Sequence, residues 1–257
     1  AGSVKACMDH LGREDFLVIS GDCVCDLDLT ALLHFHQERG AQATLALYRH
    51  PNPLEYGLVL TDEQGRVERF VEKPGWGQVF TDQINTGIYI LSPAAMERVP
   101  RGEVFDFGKD LFPALLREGA PLYALPLEGY WRDMGDCKAY LDCLCDALSG
   151  KVKLDMGLPK RSAGVWSARP VPEGLNLVPP CWIGDGVELG SGCLIGPHAV
   201  LERGAVVGER AMVQRSILLE NAAAGSRTTL YGAILCRDAS ARKGAVLNEG
   251  AVLGENA

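Results

Sequence analysis

Two aspartates, Asp22 and Asp133, each follow a short run of apolar and aromatic residues. Between them the chain carries Tyr56-Gly57, Glu72-Lys73-Pro74 and Asn85-Thr86-Gly87. These residue types suit one kind of chemistry. Two carboxylates can hold a hard cation such as Mg²⁺, which takes a few protein oxygens together with water and phosphate oxygens. Lysine is a compact charge that suits a phosphate monoester. Short amides and hydroxyls can grip the hydroxyls of a sugar, and a glycine lets the backbone come close to a ligand.

Each motif has a plainer alternative. Asp22 comes after the apolar run Phe16 to Ile19 and the tight Gly21, at a strand end where α/β folds place ligands; it could equally be a turn aspartate or a cap. Asp133 lies in Gly129-Tyr130-Trp131-Arg132-Asp133-Met134-Gly135-Asp136, where it or Asp136 could cap the next helix. Pro74 closes the strand Val67 to Val71, so Glu72 and Lys73 project at its rim, unless Lys73 is only a solvated surface lysine. Tyr56-Gly57 serves either a sugar or the entry to a strand. Asn85, Thr86 and Gly87 interrupt the apolar strand Ile84 to Leu91, and polar groups at such a place need partners. Of the five histidines only His198 falls in the second half. A catalytic base of an acyltransferase is one reading, and a coil corner next to Pro197 is the preferred one.

Up to Gly150 strand-like and helix-like patterns alternate. Leu29 to Arg39 is amphipathic and stops at Gly40. Ala43 to Tyr48 reads as a strand, and Tyr56 to Thr61 with Val67 to Val71 forms a hairpin around Asp62-Glu63-Gln64-Gly65. Phe107 to Arg117 and Lys138 to Leu148 read as helices, with a strand from Leu122 to Leu127. This alternation predicts an α/β domain with a Rossmann-like, mixed but mainly parallel sheet.

Beyond Gly150 aliphatic residues recur every sixth position: Val165, Val171, Leu177, Ile183, Leu189, Ile195, Leu201, Val207, Val213 and Leu219. Small residues, Cys193, Ala199, Ala205 and Ala211, stand two places earlier. A period of six predicts a left-handed hexapeptide β-helix, whose core exists only by stacking of coils. The register breaks at Gly225 and Tyr231 and resumes at Leu235, so residues 222–234 are expected to be a loop or irregular coil. The expected organisation is residues 1–150 as the α/β domain, 151–163 as a linker and 164–257 as the β-helix. Strand edges at the end of the solenoid favour pairing with another subunit, so a homo-oligomer or a complementing chain is expected.

The chain has 257 residues, 47% hydrophobic and 23% charged, with a net charge of −8. That balance argues against a general nucleic-acid or acidic-membrane surface, yet allows a local phosphate pocket. No apolar run has the length of a membrane span. Nine scattered cysteines with poor zinc spacing read as reduced thiols, and hence as a cytoplasmic protein.

In their joint order these motifs resemble the sugar-1-phosphate nucleotidyltransferases, above all bacterial mannose-1-phosphate guanylyltransferases. The stretches that carry the resemblance are Ala1 to Lys5, Phe16 to Asp22, Asn52 to Gly57, Phe70 to Pro74, Ile84 to Tyr89 and Gly129 to Gly135, and a solenoid after them is usual in that family. The resemblance implies that Asp22 and Asp133 hold a catalytic Mg²⁺ and that Lys73 meets the sugar phosphate. Glu72, Gly57, Asn85 and Thr86 would contact the sugar, with Tyr56 and Gly87 in the same motifs. Substrates would be a nucleoside triphosphate and a sugar-1-phosphate, and the product a nucleotide-sugar, GDP-mannose first. The family also opens with a glycine-rich loop, Gly-x-Gly-Thr-Arg-Leu-x-Pro, that cradles the triphosphate. This sequence has no such loop, so the sheet is expected to lack its first strands. A non-catalytic sugar-phosphate-binding subunit is the alternative reading, and a hexapeptide acyltransferase the third.

Overall fold

The computed structural model describes residues 1–171 and 175–257. It divides into two compact units, Ala1–Trp131 and Arg132–Ala257.

The first unit orders its elements as α1 (Gly2–Cys7), β1 (Phe16–Ile19), β2 (Cys23–Cys25), α2 (Leu29–Arg39), β3 (Ala43–Arg49), β4 (Leu58–Thr61), β5 (Val67–Val71), β6 (Gln83–Leu91), α3 (Pro93–Met96), α4 (Phe112–Arg117) and β7 (Leu122–Pro126). α2 is bounded as its sequence predicts. The Asp28 side chain accepts from the amide of Ala31, and Gly40 closes the helix at φ 54°. The turn between β4 and β5 is held by Asp62, whose Oδ1 accepts from the amides of Gln64 and Arg66, each at 2.8 Å.

The sheet runs β5-β4-β6-β3-β7, with β1 also on β6. β6 is reversed relative to β1, β3 and β4, and only the β3–β7 ladder is parallel. The expectation of a mainly parallel sheet therefore holds for the direction of most strands but not for their hydrogen-bonded pairing. The architecture is mixed α/β. Both faces are covered, as a central sheet requires. Leu45, Leu47, Leu91, Met96, Phe112 and Leu115 fill one side, and Leu32, Ala46, Leu58, Ile84 and Ile88 the other.

β6 carries the one feature that matters for the site. On its β3 side, Leu45 faces Tyr89 and Leu47 faces Asn85, so a two-residue step on β3 matches a four-residue step on β6. The excess is a bulge at Thr86-Gly87-Ile88, and Gly87 takes φ 78°, open to glycine at little cost.

In the second unit the chain passes from β8 (Trp131–Asp133) into α5 (Cys137–Leu148) and then into stacked triangular coils. Three parallel ladders form the faces. One runs through Val165–Ser167, Cys181–Ile183, Ala199–Leu201, Ile217–Leu218, Ile234–Leu235 and Val252–Leu253. The other two begin at Asn176–Leu177 and Glu188–Leu189. About five turns result, consistent with the left-handed form expected. Glycines lie where coil stacks on coil: a Cβ on Gly190 would come within 2.5 Å of the Glu209 amide, and one on Gly208 equally close to that of Ser226.

One expectation fails here. Residues 222–234 are not a loop: Ala223–Ala224, Thr229–Tyr231 and Ile234–Leu235 are strands in register with their neighbours. The corner holding Arg215 is one residue short, so Leu218 instead of Leu219 points inward, and the corner holding Gly232 repeats this, which puts Leu235 inward. A coil with one such corner has 17 residues where two others have 18, so the six-residue pattern slips while the stack continues. α5 belongs with the coils by its packing. It sets Leu141 and Leu148 against Val200, Ile217 and Ile234, and the compact units divide at Trp131. The expected linker 151–163 includes Lys160–Ser162, an antiparallel strand on Val165–Ser167.

Candidate functional site

The rim of the first unit's sheet gathers most of the singled-out residues. After β1 the chain turns at Ser20-Gly21-Asp22. The Ser20 amide donates to the Gly87 carbonyl at 3.1 Å, and the Ser20 hydroxyl donates to Asp22 Oδ1. The Asp22 turn is thus tied to the bulge of β6. From the bulge the connection continues: the Gly87 amide donates to Asn85 Oδ1 at 3.2 Å, and Asn85 Nδ2 donates to the Tyr89 hydroxyl at 3.0 Å. Tyr89 is buried, and that burial pushes its phenol well above the usual range, so it stays a neutral partner for Asn85.

Glu72 meets this group from the side. A Cβ on Gly57 would stand 2.6 Å from Glu72 Oε2 and 3.4 Å from the Asn85 Cβ, so Gly57, Glu72 and Asn85 are immediate neighbours. The Asn85 amide donates to the Gly57 carbonyl at 2.7 Å, which fixes that glycine's backbone. Burial raises the Glu72 carboxyl above its usual value, and the Asp106 carboxylate raises it further, while Lys73 and Lys109 oppose the shift. Lys73 is exposed and its backbone takes φ 43°, immediately before the buried Pro74.

Not every expected residue joins. Thr86 is 2% exposed and its hydroxyl donates to the Ala46 carbonyl at 2.8 Å, on the face of β6 away from Asn85. Its hydroxyl proton is engaged with the core. Tyr56 packs edge-on against His50 and Trp131, with ring centroids 5.1 and 5.4 Å away, and supports the approach to Gly57. Trp131 donates its indole N–H to the Thr86 carbonyl at 3.2 Å. Asp26 accepts from the Tyr130 amide at 2.6 Å and leaves no room for a Cβ at Gly129, which accounts for the Gly129-Tyr130 pair.

Asp133 ends β8 in the second unit and is half-buried. The competition for the helix cap is settled: Asp136 caps α5, its Oδ1 accepting from the Ala139 amide at 2.6 Å. Asp133 is therefore not needed as the cap.

Sequence reasoning missed Gly108 and Asp106. A Cβ on Gly108 would lie 2.5 Å from Glu72 Oε2, on top of the carboxylate. Asp106 caps that turn, accepting from the amides of Gly108 and Lys109 at 2.9 Å each. The cap pattern Asp106-x-Gly108 was visible, but nothing local links it to Glu72.

His198 sits at a coil corner with φ 58°. The Ser149 hydroxyl donates to the Cys145 carbonyl at 2.7 Å, and His198 Nε2 lies 2.8 Å from the same hydroxyl.

The fold that carries this rim is a mixed α/β sheet. Residues 1–150 match the family model described as nucleotidyl transferase, and the chain belongs to that family. Residues 177–257 match a second model, described as the GMPPB C-terminal domain. The chain is 39% identical to a UTP–glucose-1-phosphate uridylyltransferase of Synechocystis, over 54% of this chain and 37% of that protein. It is 38% identical to mannose-1-phosphate guanyltransferase beta-A of Xenopus laevis, over 51% and 36%. To the mannose-1-phosphate guanylyltransferase catalytic subunit beta of Drosophila pseudoobscura it is 33% identical, over 67% and 44%. The matched part spans less than half the length of these relatives. Among the described residues no helix is long and apolar enough to cross a membrane.

Proposed function

We propose that this chain takes part in transfer of a nucleotidyl group to a sugar-1-phosphate, with mannose-1-phosphate and GTP as the substrate pair. The observation that carries the proposal is the rim itself. Asn85 is hydrogen-bonded through Gly87 to the Asp22 turn, Glu72 stands beside it, both can hold sugar hydroxyls, and Lys73 follows Glu72 in the chain. In the reaction a phosphate oxygen of the sugar-1-phosphate attacks the α-phosphorus. A new O–P bond forms, the α–β bridging bond breaks, and pyrophosphate leaves with the electron pair. No protein nucleophile is needed; positioning and charge neutralisation suffice.

Lys73 neutralises the attacking phosphate, Glu72 and Asn85 orient the hexose, and the Gly57 backbone lets it approach. Asp22 suits a divalent cation: its carboxylate is an exposed hard oxygen donor with Oδ1 oriented by Ser20. Asp22, and Asp133 by the resemblance, are the proposed Mg²⁺ ligands. When bound, the ion would offset charge on the triphosphate. The setting is cytoplasmic, and a homo-oligomer or a complementing chain completes the assembly.

The test is a pyrophosphate-release assay of the full-length coding product with mannose-1-phosphate or glucose-1-phosphate and each nucleoside triphosphate in turn. Turnover greatest with GTP and mannose-1-phosphate is expected. Binding of sugar-1-phosphate without pyrophosphate release would favour the regulatory-subunit reading. A preference for UTP and glucose-1-phosphate would replace the substrate pair while keeping the chemistry.

A further inference from the structure

Glu72 is held in a slot whose two walls are glycines. Gly57 bounds one side, with Glu72 Oε2 2.6 Å from where its Cβ would be. Gly108 bounds the other, with the same oxygen at 2.5 Å and Cδ at 3.0 Å from where its own Cβ would be. Phe70 closes the slot behind both, its Cζ 2.9 Å from the first position and 3.4 Å from the second, and Phe70 is itself fixed edge-on against Phe112 at 5.6 Å.

Neither wall is free to yield. The Gly108 amide is bound to Asp106 Oδ1, and the Asp106 amide in turn donates to Asp110 Oδ2 at 2.8 Å. Gly108 does not have a positive φ. Nothing in its backbone calls for glycine, and alanine is the better helix former. The Glu72 carboxylate is the group that stands nearest a side chain at 108, with Phe70 Cζ next at 3.4 Å.

We propose that Gly108 is a positioning residue for the sugar: by lacking a side chain it sets where the Glu72 carboxylate stands, and so which hydroxyls of the hexose that carboxylate can reach. This deepens the proposed function and rests on its assignment of Glu72 to the sugar.

A methyl group at 108 drives the carboxylate outward without straining the backbone. Gly108→Ala is thus expected to raise KM for the sugar-1-phosphate about tenfold, with KM for the nucleotide and the thermal midpoint unchanged or the midpoint slightly higher. The effect must run through Glu72, so a double-mutant cycle separates positioning from general damage. In the Glu72→Ala background, Gly108→Ala is expected to add less than about twofold. Additive losses, or an unchanged KM in the single variant, overturn the proposal.

A second readout does not depend on turnover. In the full chain with ¹³C-labelled glutamate, the Glu72 carboxyl should titrate lower in Gly108→Ala than in the parent, because displacement outward returns it to water. An unmoved Glu72 titration overturns the proposal even if no transfer activity is found. If the titration moves but Glu72→Ala leaves the sugar KM unchanged in an active enzyme, it is the assignment of Glu72 to the sugar that fails.

Discussion

The Ser20 hydroxyl donates to Asp22 Oδ1, while the Ser20 amide holds the Gly87 carbonyl at 3.1 Å. One residue thereby orients the proposed metal carboxylate and anchors it to the β6 bulge. Removing the hydroxyl leaves the backbone anchor intact. Ser20→Ala should therefore raise the Mg²⁺ concentration needed for half-maximal turnover by about fivefold, the worth of one exposed hydrogen bond to a charged group. The thermal midpoint should hardly move. A metal titration of pyrophosphate release decides this; an unchanged requirement would detach Ser20 from metal binding.

Because Asp136 and not Asp133 caps α5, Asp133→Asn removes a charge without removing a cap. Turnover is expected to fall at least about a hundredfold, as for loss of a group that stabilises transferring charge, with the circular dichroism of a folded chain. Normal activity in this variant would take Asp133 out of the metal site.

Glu72 sets up a pH dependence whose sign follows from its surroundings. Burial and Asp106 raise its carboxyl, against the pull of Lys73 and Lys109. A carboxyl raised in the folded state favours folding when protonated, so its contribution is present below the unfolded value and lost as pH rises through the folded one. At neutral pH the ionised side chain is thus a burden in the fold, reduced by its partial exposure. Glu72→Gln should melt higher than the parent near pH 7, with the gain closing as pH falls into the ordinary carboxylate range. Sugar-1-phosphate KM should rise in the same variant. A gain in stability that persists at acid pH would assign the effect to packing instead of charge.

In the second unit the Arg215 guanidinium reaches Asp142 on α5 and Glu249 on a later coil, at 2.7 Å in the latter pair. Burial acts to raise the Asp142 carboxyl, but Lys138 and Arg215 outweigh it and hold it below the usual range. A lowered folded value means stability present above the unfolded value and lost as pH falls through the folded one. Asp142→Asn should lower the melting midpoint by a few degrees at pH 7, as expected for loss of about 1 kcal/mol. It should also flatten the loss of stability below about pH 4. A parallel acid limb in both proteins would show that Asp142 does not govern it.

Much of this was legible in the sequence because it depends on local pattern. The stop at Gly40, the Asp62 turn and the small residues Cys193, Ala199, Ala205 and Ala211 all follow from short-range rules, and all stand where the pattern puts them. What was hidden depends on contacts made across the chain. The direction of β6 is set by its neighbours β1, β3 and β4, not by its own residues. Thr86 read as a site residue because it lies between Asn85 and Gly87, yet alternation across the strand turns it to Ala46. Nothing near Gly108 in the sequence signalled its partner, since Glu72 lies 36 positions away and only folding brings them together.

The solenoid register gives the sharpest stability test, since sequence spacing and structure select different residues one position apart. The six-residue period selects Leu219 as the inward aliphatic. The short corner at Arg215 instead places Leu218 inside, fully buried among Leu201, Leu235 and the stacked alanines. Leu219 lies half-buried on the outer face near α5. Truncating a leucine inside a core that cannot collapse leaves a cavity and costs about 2–5 kcal/mol. Truncating one on a partly covered face loses only part of its transfer energy, about 1 kcal/mol. Leu218→Ala should therefore destabilise the protein far more than Leu219→Ala in urea unfolding. The reverse order would restore the unbroken register and make residues 222–234 the irregular segment that spacing alone predicts.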